Sequence, residues 1–104
     1  MKYLLLAVYI PNKDAERLKT AIFAAGAGKV GNYSHCCWQT EGLGQFMPEE
    51  NSNPTLGQAH KIHHEPELKI EFILPACLKE KILTTMQDHH PYETPAYFLT
   101  EIIT

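Results

Sequence analysis

The sequence predicts a ferredoxin-like α+β fold, in which two helices cover one face of an antiparallel sheet. Three observations predict it: two amphipathic helical stretches, strand-like stretches before and after each of them, and an element order that forms two βαβ-like halves. The 104 residues have a composition of 44% hydrophobic and 20% charged residues, which is ordinary for a globular protein. We therefore expect residues 1–104 to form a single domain.

The first half begins with an apolar run and continues with a helical stripe. Residues 3–10 are continuously apolar and end at Pro11, which is typical of a central strand. The run is too short to cross a membrane, and charged residues without a cleavage site follow it, which argues against a signal peptide. Asn12 is a candidate helix cap. The helix that follows ends at the glycines of residues 26–28, and its apolar stripe consists of Ala15, Leu18, Ile22 and Ala25.

The middle of the chain predicts a loose hairpin. Residues 33–40 alternate as a strand, and residues 41–44 indicate a turn or bulge because they contain two glycines. Residues 45–47 form a short strand at most, and residues 48–54 form a solvated loop. Cys36 lies on an apolar stripe of this strand and is predicted to be a core thiol, as is Cys77 of the later helix.

The second half repeats the pattern of the first. Residues 60–64 and 68–74 predict two strand segments that Pro66 interrupts, and the last strand covers residues 96–103. Between them, a second helix starts at Pro75 and ends before Pro91; its stripe consists of Leu78, Ile82, Met86 and His89. In this layout the second helix ends beside the tip of the central hairpin, and the loop of residues 26–31 lies at the opposite end of the sheet.

Charge and cysteine usage restrict the classes of partner. The formal net charge is −3, which argues against a nucleic-acid or anionic-membrane surface. Protonation of all six histidines would shift the net charge to +3, so the charge is sensitive to acid. Three cysteines, two of them adjacent, form no even disulfide framework. We interpret them as reduced thiols of a cytoplasmic protein.

Two glycine-rich stretches are candidate ligand sites. Residues 26–31 match G-x-G-x-x-G, but they follow a helix and precede a strand, the reverse of the dinucleotide-binding context. A glycine cap and a tight turn are the better interpretation. The stretch around Gly42 and Gly44 leaves two readings open: a bent hairpin with an exposed loop, or a mobile loop that closes over a ligand or partner.

In the segment His90-Pro-Tyr92-Glu93, Pro91 and the following Pro95 restrict a short connection that holds an imidazole, a phenol and a carboxylate close together. His90 and Glu93 can form an ion pair, share a proton or bind a metal; the alternative is a rigid, hydrogen-bonded turn. A third hypothesis for the function, besides a binding module and a metal-binding protein, is an enzyme that uses these two residues as an acid–base pair. No nucleophile or cofactor motif accompanies them.

Several histidines are candidate metal ligands. Residues 60–64 carry three of them, and His35 with Cys37 can join them if their strands are neighbours. No closed four-ligand spacing is present. A divalent metal is thus the cofactor that these residues indicate, with His35, His63, His90 and Glu93 as its candidate ligands.

A resemblance to a known domain covers nearly the whole chain. The residues that carry it are Gly26-Ala-Gly28, Gly31, Tyr33, Cys36, Gly42, Gly44, Phe46, Pro48, Pro54, Gly57, His90-Pro-Tyr-Glu93 and Pro95-Ala-Tyr97. In this order they resemble the PII/CutA-like domain inserted in YqfO-type members of a dinuclear-metal protein family related to NGG-interacting factors.

This resemblance implies a ferredoxin-like fold and, by similarity to PII and CutA proteins, a homotrimer. The metal-binding residues of the family lie in the halves that flank the insert, so it implies neither a metal ligand nor hydrolase activity for this chain. It suggests a ligand or interaction surface at Tyr33, Gly42, Gly44, His90, Tyr92 and Glu93.

The function we predict is that of a free-standing, non-enzymatic module that binds a small ligand or a protein partner. Its ligand would occupy a cleft between subunits, near the turn of residues 90–93 and the loop after Phe46. The alternative is a protein that binds copper or zinc, or confers metal tolerance, through its histidines.

Overall fold

The computed structural model describes residues 2–103. They form a four-stranded antiparallel sheet in the order β2-β3-β1-β4 with two helices, so the predicted ferredoxin-like α+β fold is confirmed. The elements are β1 (Tyr3–Pro11), α1 (Ala15–Ala24), β2 (Trp38–Phe46), β3 (His63–Pro75), α2 (Lys79–His89) and β4 (Tyr97–Ile102). A short 3-10 turn precedes each helix, so α1 begins at Ala15, and Asn12 makes no side-chain capping bond.

The core lies between the helices and the face of the sheet that they cover. Every second residue of β1 and β3 points to this side, because side chains of a strand alternate between the two faces. The predicted helical stripes meet them there. The fully buried side chains are Leu6, Val8, Ile10, Leu18, Ile22, Ile70, Phe72, Ile82 and Met86.

The other face of the sheet, the open face, carries no helix within residues 2–103. The register places Trp38, Glu71, Ala7 and Phe98 side by side across this face. Trp38 is 69% exposed and Phe98 is 61% exposed, so large apolar surfaces face solvent here. No helix in residues 2–103 has the length and apolar character that crossing a bilayer requires.

The boundaries of β2 correct the sequence prediction. Residues 38–46 form one continuous strand, so the predicted strand at 33–40, the turn at 41–44 and the separate strand at 45–47 were wrong. The glycines lie inside the strand instead of ending it. Residues 33–37 follow an irregular path, in which His35 has a φ of 59° and breaks the alternation.

This path also changes the cysteine assignments. Cys36 is only half-buried and Cys77 is exposed, so the prediction that both are core thiols was wrong. Cys37 is the cysteine that packs against the edge of the core. Neither of the other two lies on a regular inward face: Cys36 is in the irregular segment before β2, and Cys77 is in the 3-10 turn before α2.

β3 is longer than predicted and forms one strand through Pro66. Residues 60–62 precede it, with His60 at a φ of 63°, so the predicted strand at 60–64 was only partly correct. β1 pairs with β3 only as far as Glu67, so Pro66 lies where β3 has no partner on that side. A residue without an N–H is tolerated there. Beyond this point β2 and β3 continue as a hairpin arm, residues 43–66.

The predicted placement of the loops is confirmed. The tip of the hairpin arm contacts the turn that follows α2: Thr55 donates a hydrogen bond to the carbonyl of Pro91. The glycine loop of residues 26–31 lies at the opposite end of the sheet, where the N–H of Gly28 donates to the carbonyl of Ile73. Gly28 has a φ of +85°, as expected of a glycine turn.

Candidate functional site

A cavity of about 490 Å³ lies on the open face, at the end of the sheet where the hairpin arm begins. Three parts of the chain enclose it. The sheet contributes Tyr9, Glu67 and Phe98, the hairpin arm contributes residues 44–56, and the turn after α2 contributes residues 92–96. The antiparallel fold brings these parts together because α2 ends beside the arm. The volume of the cavity is within the usual range of small-molecule sites.

Glu67 and Tyr92 form the polar centre of this cavity. The Tyr92 hydroxyl donates a hydrogen bond of 2.7 Å to Oε2 of Glu67, whose residue is only 9% exposed. Burial and the bond to Glu67 raise the pKa of Tyr92 well above its ordinary value, so it stays a phenol that donates. The Glu67 carboxyl lies against Gly44, where a Cβ atom would collide with it. Gly44 therefore makes room for a buried acid.

Aromatic rings surround this polar pair. Phe46 contacts Tyr92 edge-on at a centroid distance of 5.6 Å and contacts the His63 ring at 5.1 Å. On the sheet, Tyr9 and Phe98 form a second edge-to-face pair at 6.1 Å. Such pairs stabilise each other beyond the burial of their surfaces and fix the ring orientations. The cavity therefore has firm aromatic walls on two sides.

His90 connects the turn to β1. Its Nδ1 accepts the N–H of Tyr92 at 3.1 Å, and its Nε2 donates to the carbonyl of Tyr9 at 2.7 Å. The residue is 7% exposed, and desolvation lowers its pKa, outweighing the hydrogen bond to Tyr9 and the nearby carboxylates. Both ring nitrogens are thus used by the backbone, and the imidazole is held neutral.

Glu93 forms its hydrogen bonds with the hairpin arm and not with His90. Its carboxylate oxygens lie 3.1 and 3.3 Å from the backbone nitrogen of Asn53, which donates from the hairpin arm. The structure therefore does not form the ion pair or shared proton that the sequence suggested for His90 and Glu93. The hydrogen-bonded turn, which was the alternative, describes the geometry, and Glu93 fastens the arm to it.

The remaining predicted site residues are distributed over the sheet. Gly42 pairs with Glu67 in the ladder but does not line the cavity, whereas Gly44, Tyr92 and Glu93 do. Tyr33 is 75% exposed and pairs with Val30 beside the glycine loop, at the opposite end of the sheet. Within one chain, Tyr33 thus lies apart from the other predicted residues.

The predicted metal ligands are dispersed as well. His35 contacts the Ser34 hydroxyl and packs its ring on Phe23, and His63 lies 2.8 Å from Oε1 of Glu65. Within residues 2–103, no three side chains of the ligating types come together at metal-binding distance.

Among the cavity residues that the central part of the sheet contributes, sequence reasoning missed Tyr9, Glu67 and Phe98. Tyr9 and Phe98 were read only as parts of strands. The sequence did contain a signal for Glu67. It is an acid directly before the buried Leu68, in a stretch whose alternate positions are otherwise apolar. Its partner Tyr92 lies 25 positions away, and only the fold brings the two together.

Comparison with curated proteins places the chain among larger relatives. No protein-family model matches it. The chain is 42% identical over 94 residues to a GTP cyclohydrolase 1 type 2 homolog of Halalkalibacterium halodurans, covering 90% of this chain and 25% of that protein. The homolog of Mycobacterium tuberculosis is 34% identical over 96 residues, with coverages of 92% and 25%. The chain thus spans about a quarter of the length of these curated relatives.

Comparison with solved structures also matches the chain to about a quarter of a larger protein. The Bacillus cereus protein related to NIF3 superposes with a TM-score of 0.85 at 35% identity, covering 99% of this chain and 26% of that one. The chain is similar to one domain-sized piece of the NIF3-related proteins. CutA from Archaeoglobus fulgidus superposes with a TM-score of 0.69 at 15% identity, over 96% of this chain and 83% of that one, which shows a shared fold. The predicted resemblance to NIF3-related and CutA-like proteins is therefore confirmed.

Proposed function

We propose that this chain is a non-enzymatic module that binds a small ligand in the cavity between the open face, the hairpin arm and the turn after α2. The cavity is the observation that carries the proposal. Its walls come from three separate parts of the chain, which hydrogen bonds from Asn53 to Glu93 and from Thr55 to Pro91 hold together. A cavity that is formed and fastened before binding requires little ordering of the protein by the ligand.

The geometry of His90 supports binding over catalysis. A general base needs a ring nitrogen that can take a proton from a substrate. Both nitrogens of His90 are committed to backbone groups, and its burial disfavours the charged form. Tyr92, with its raised pKa, is a better hydrogen-bond donor than an acid–base catalyst.

A direct test is to screen uncharged and charged fragments by chemical-shift perturbation of the backbone amides. We expect hits whose shifts cluster around residues 44–56 and 92–98. The variant Ala96→Phe places a ring in the cavity and should abolish these hits, whereas Ala24→Phe on the exposed side of α1 should leave them unchanged. Hits that survive Ala96→Phe, or that cluster elsewhere, would contradict the proposal.

We further propose that the module is a cytoplasmic homotrimer, consisting of a single PII/CutA-like domain over residues 1–104. The exposed Trp38 and Phe98 on the open face support association, because isolated proteins rarely leave such patches in contact with water. Association would also bring the ends of neighbouring chains closer, so that Tyr33 of one subunit could approach the cavity of another.

Light scattering after size exclusion tests the assembly. We expect a mass three times the 11.8 kDa of one chain at micromolar concentration. Phe98→Ser on the open face should reduce this mass, and Ile62→Ser, which alters an equally exposed loop residue outside the sheet, should not. A monomer for the unmodified chain would remove the intersubunit part of the proposal and leave the cavity.

Divalent metal binding is the second candidate function. One observation favours it: His63 Nε2 and Glu65 Oε1 are 2.8 Å apart and only partly buried, so a neighbouring chain or solvent could complete a coordination sphere. Calorimetry with zinc and with copper, on the unmodified chain and on His63→Ala, decides this. Heat that disappears in His63→Ala supports the metal site, and the absence of heat at neutral pH rules it out.

A further inference from the structure

We propose that the cavity takes an organic ammonium cation, with Glu67 as its counter-ion and the rings of Tyr9, Phe46, Tyr92 and Phe98 as its walls. This inference rests on the proposed binding function and names its ligand class. Neither the names of the relatives nor the resemblance assigns such a site.

The charge of the cavity determines which ligands it attracts. Its charged lining residues, within residues 2–103, are Glu67 and Glu93, and no lysine, arginine or histidine lines it. Lys69 lies on the same face of β3, opposite Tyr9, but it neither lines the cavity nor forms an ion pair with Glu67. A partly enclosed space lined by two carboxylates and by no cationic side chain attracts cations and repels phosphates and carboxylates. A nucleoside triphosphate is therefore a poor ligand for this cavity.

Glu67 has unused capacity to bind a cation. Its Oε2 accepts the hydrogen bond from Tyr92, whereas no donor within residues 2–103 reaches its Oε1. None of the ion pairs in this part of the chain includes Glu67, although the residue is almost completely buried. A buried carboxylate is unfavourable without an opposite charge, and a bound cation supplies that charge.

The aromatic walls select an organic cation over a metal ion. Cations are attracted to the faces of aromatic rings at distances up to about 6 Å, and enclosures of several rings are typical of sites for substituted ammonium groups. The pairs Tyr9–Phe98 and Phe46–Tyr92 border the cavity on two sides of Glu67. A metal ion would lose its water ligands among these rings and gain too few oxygen ligands in return.

The test compares choline with 3,3-dimethylbutan-1-ol, which has the same shape and no charge. We expect choline to bind in the cavity about fivefold or more tightly than the alcohol, measured by amide chemical-shift titration. GTP, used as an anionic probe, should shift no cavity amide. Equal affinity for choline and the alcohol, or a GTP titration centred on the cavity, would overturn the inference.

Two variants assign the preference to the proposed groups. Glu67→Gln keeps an acceptor for Tyr92 and should remove most of the preference for choline, whereas Glu71→Gln, four residues further along β3 on the same face but outside the cavity, should keep it. Phe98→Leu removes a ring, keeps apolar surface and should weaken choline more than the alcohol. A preference that survives both Glu67→Gln and Phe98→Leu contradicts the assignment.

The outcome also separates this inference from the function on which it rests. If the alcohol and choline bind the cavity equally, and Ala96→Phe abolishes both, the cavity binds ligands and the cation preference is wrong. If neither these probes nor any fragment shifts the cavity amides, both the inference and the proposed function fail.

Discussion

The two faces of the sheet use the same strands for different purposes. Toward the helices, β1 and residues 68–74 of β3 present only apolar side chains, and Leu6 and Phe72 are fully buried there. Toward the open side, the same strands present Tyr9 and Glu67, which border the cavity. The alternation of a strand separates the two sets, so one set can change without altering the other. This contrast indicates that the covered face provides most of the stability, whereas the open face carries the cavity for which binding is proposed.

The largest expected effect tests the covered face. Phe72→Ala should lower the free energy of unfolding by about 3–5 kcal/mol, because it removes a fully buried ring and leaves a void under the helices. Phe98→Ala, its counterpart on the open face, should lower the free energy of unfolding of the separated chain by about 1 kcal/mol at most, since within one chain it loses mainly its contact with Tyr9. Urea denaturation of both variants checks the difference. Similar losses for the two phenylalanines would refute the division between the faces.

The second prediction compares substitutions of two glycines of β2. Gly44→Ala should destabilise the fold by about 1–3 kcal/mol, because the new methyl group collides with the buried Glu67 carboxyl. Gly42→Ala meets no atom within 4 Å and should be neutral or slightly stabilising. Thermal denaturation distinguishes the two. If both substitutions are tolerated alike, Glu67 is not fixed over Gly44 as the structure places it.

A smaller effect concerns two tyrosines at opposite ends of the sheet. Tyr92→Phe removes the hydroxyl that bonds to Glu67 and should lower the free energy of unfolding by about 1–2 kcal/mol, since it leaves the buried acid without a donor. Tyr33→Phe removes an exposed hydroxyl and should change it by less than about 0.5 kcal/mol. Chemical denaturation measures both, and equal values would show that the Tyr92–Glu67 bond contributes nothing to stability.

The most subtle difference is a pH dependence. Burial lowers the pKa of His90 below its ordinary value of about 6.5, so the unfolded chain takes up a proton before the folded chain does. The stability that neutral His90 contributes is therefore present above about pH 6.5 and is lost as the pH falls through the lowered pKa. His90→Gln should flatten this part of the curve of melting temperature against pH.

The exposed loop residue His60 provides the control for that measurement. His60→Asn keeps a residue that tolerates the left-handed backbone and should leave the slope of the curve unchanged. A slope that persists in His90→Gln and disappears in His60→Asn would show that the acid sensitivity of the stability does not arise at His90.

The covered face was predictable from sequence and the open face was not, for a physical reason. Burial against helices imposes a regular pattern, so the stripe of Leu18 and Ile22 and the alternation of Ile70 and Phe72 identified their elements correctly. The cavity depends on contacts between distant segments, such as Tyr92 with Glu67, which leave no periodic trace.

The error in β2 has the same origin. Gly42 and Gly44 are typical of a turn when only neighbouring residues are considered. In the fold, Gly44 is a strand residue that lacks a side chain because Glu67 occupies the space above it. Local propensity failed at this position because a tertiary contact next to the candidate site determines it.

The hairpin arm has a consequence for the motions of the molecule. Beyond Glu67 its two strands have lost β1 as a neighbour, and a two-stranded ribbon alone is only marginally stable in water. Its fastening to the rest of the fold depends on a few hydrogen bonds, among them those that Asn53 and Thr55 make to the turn. The arm should therefore detach far more often than the whole chain unfolds, and its amide protons should exchange with solvent earlier than those of β1. Each such opening would widen the route of a ligand into a cavity that the closed form encloses only in part.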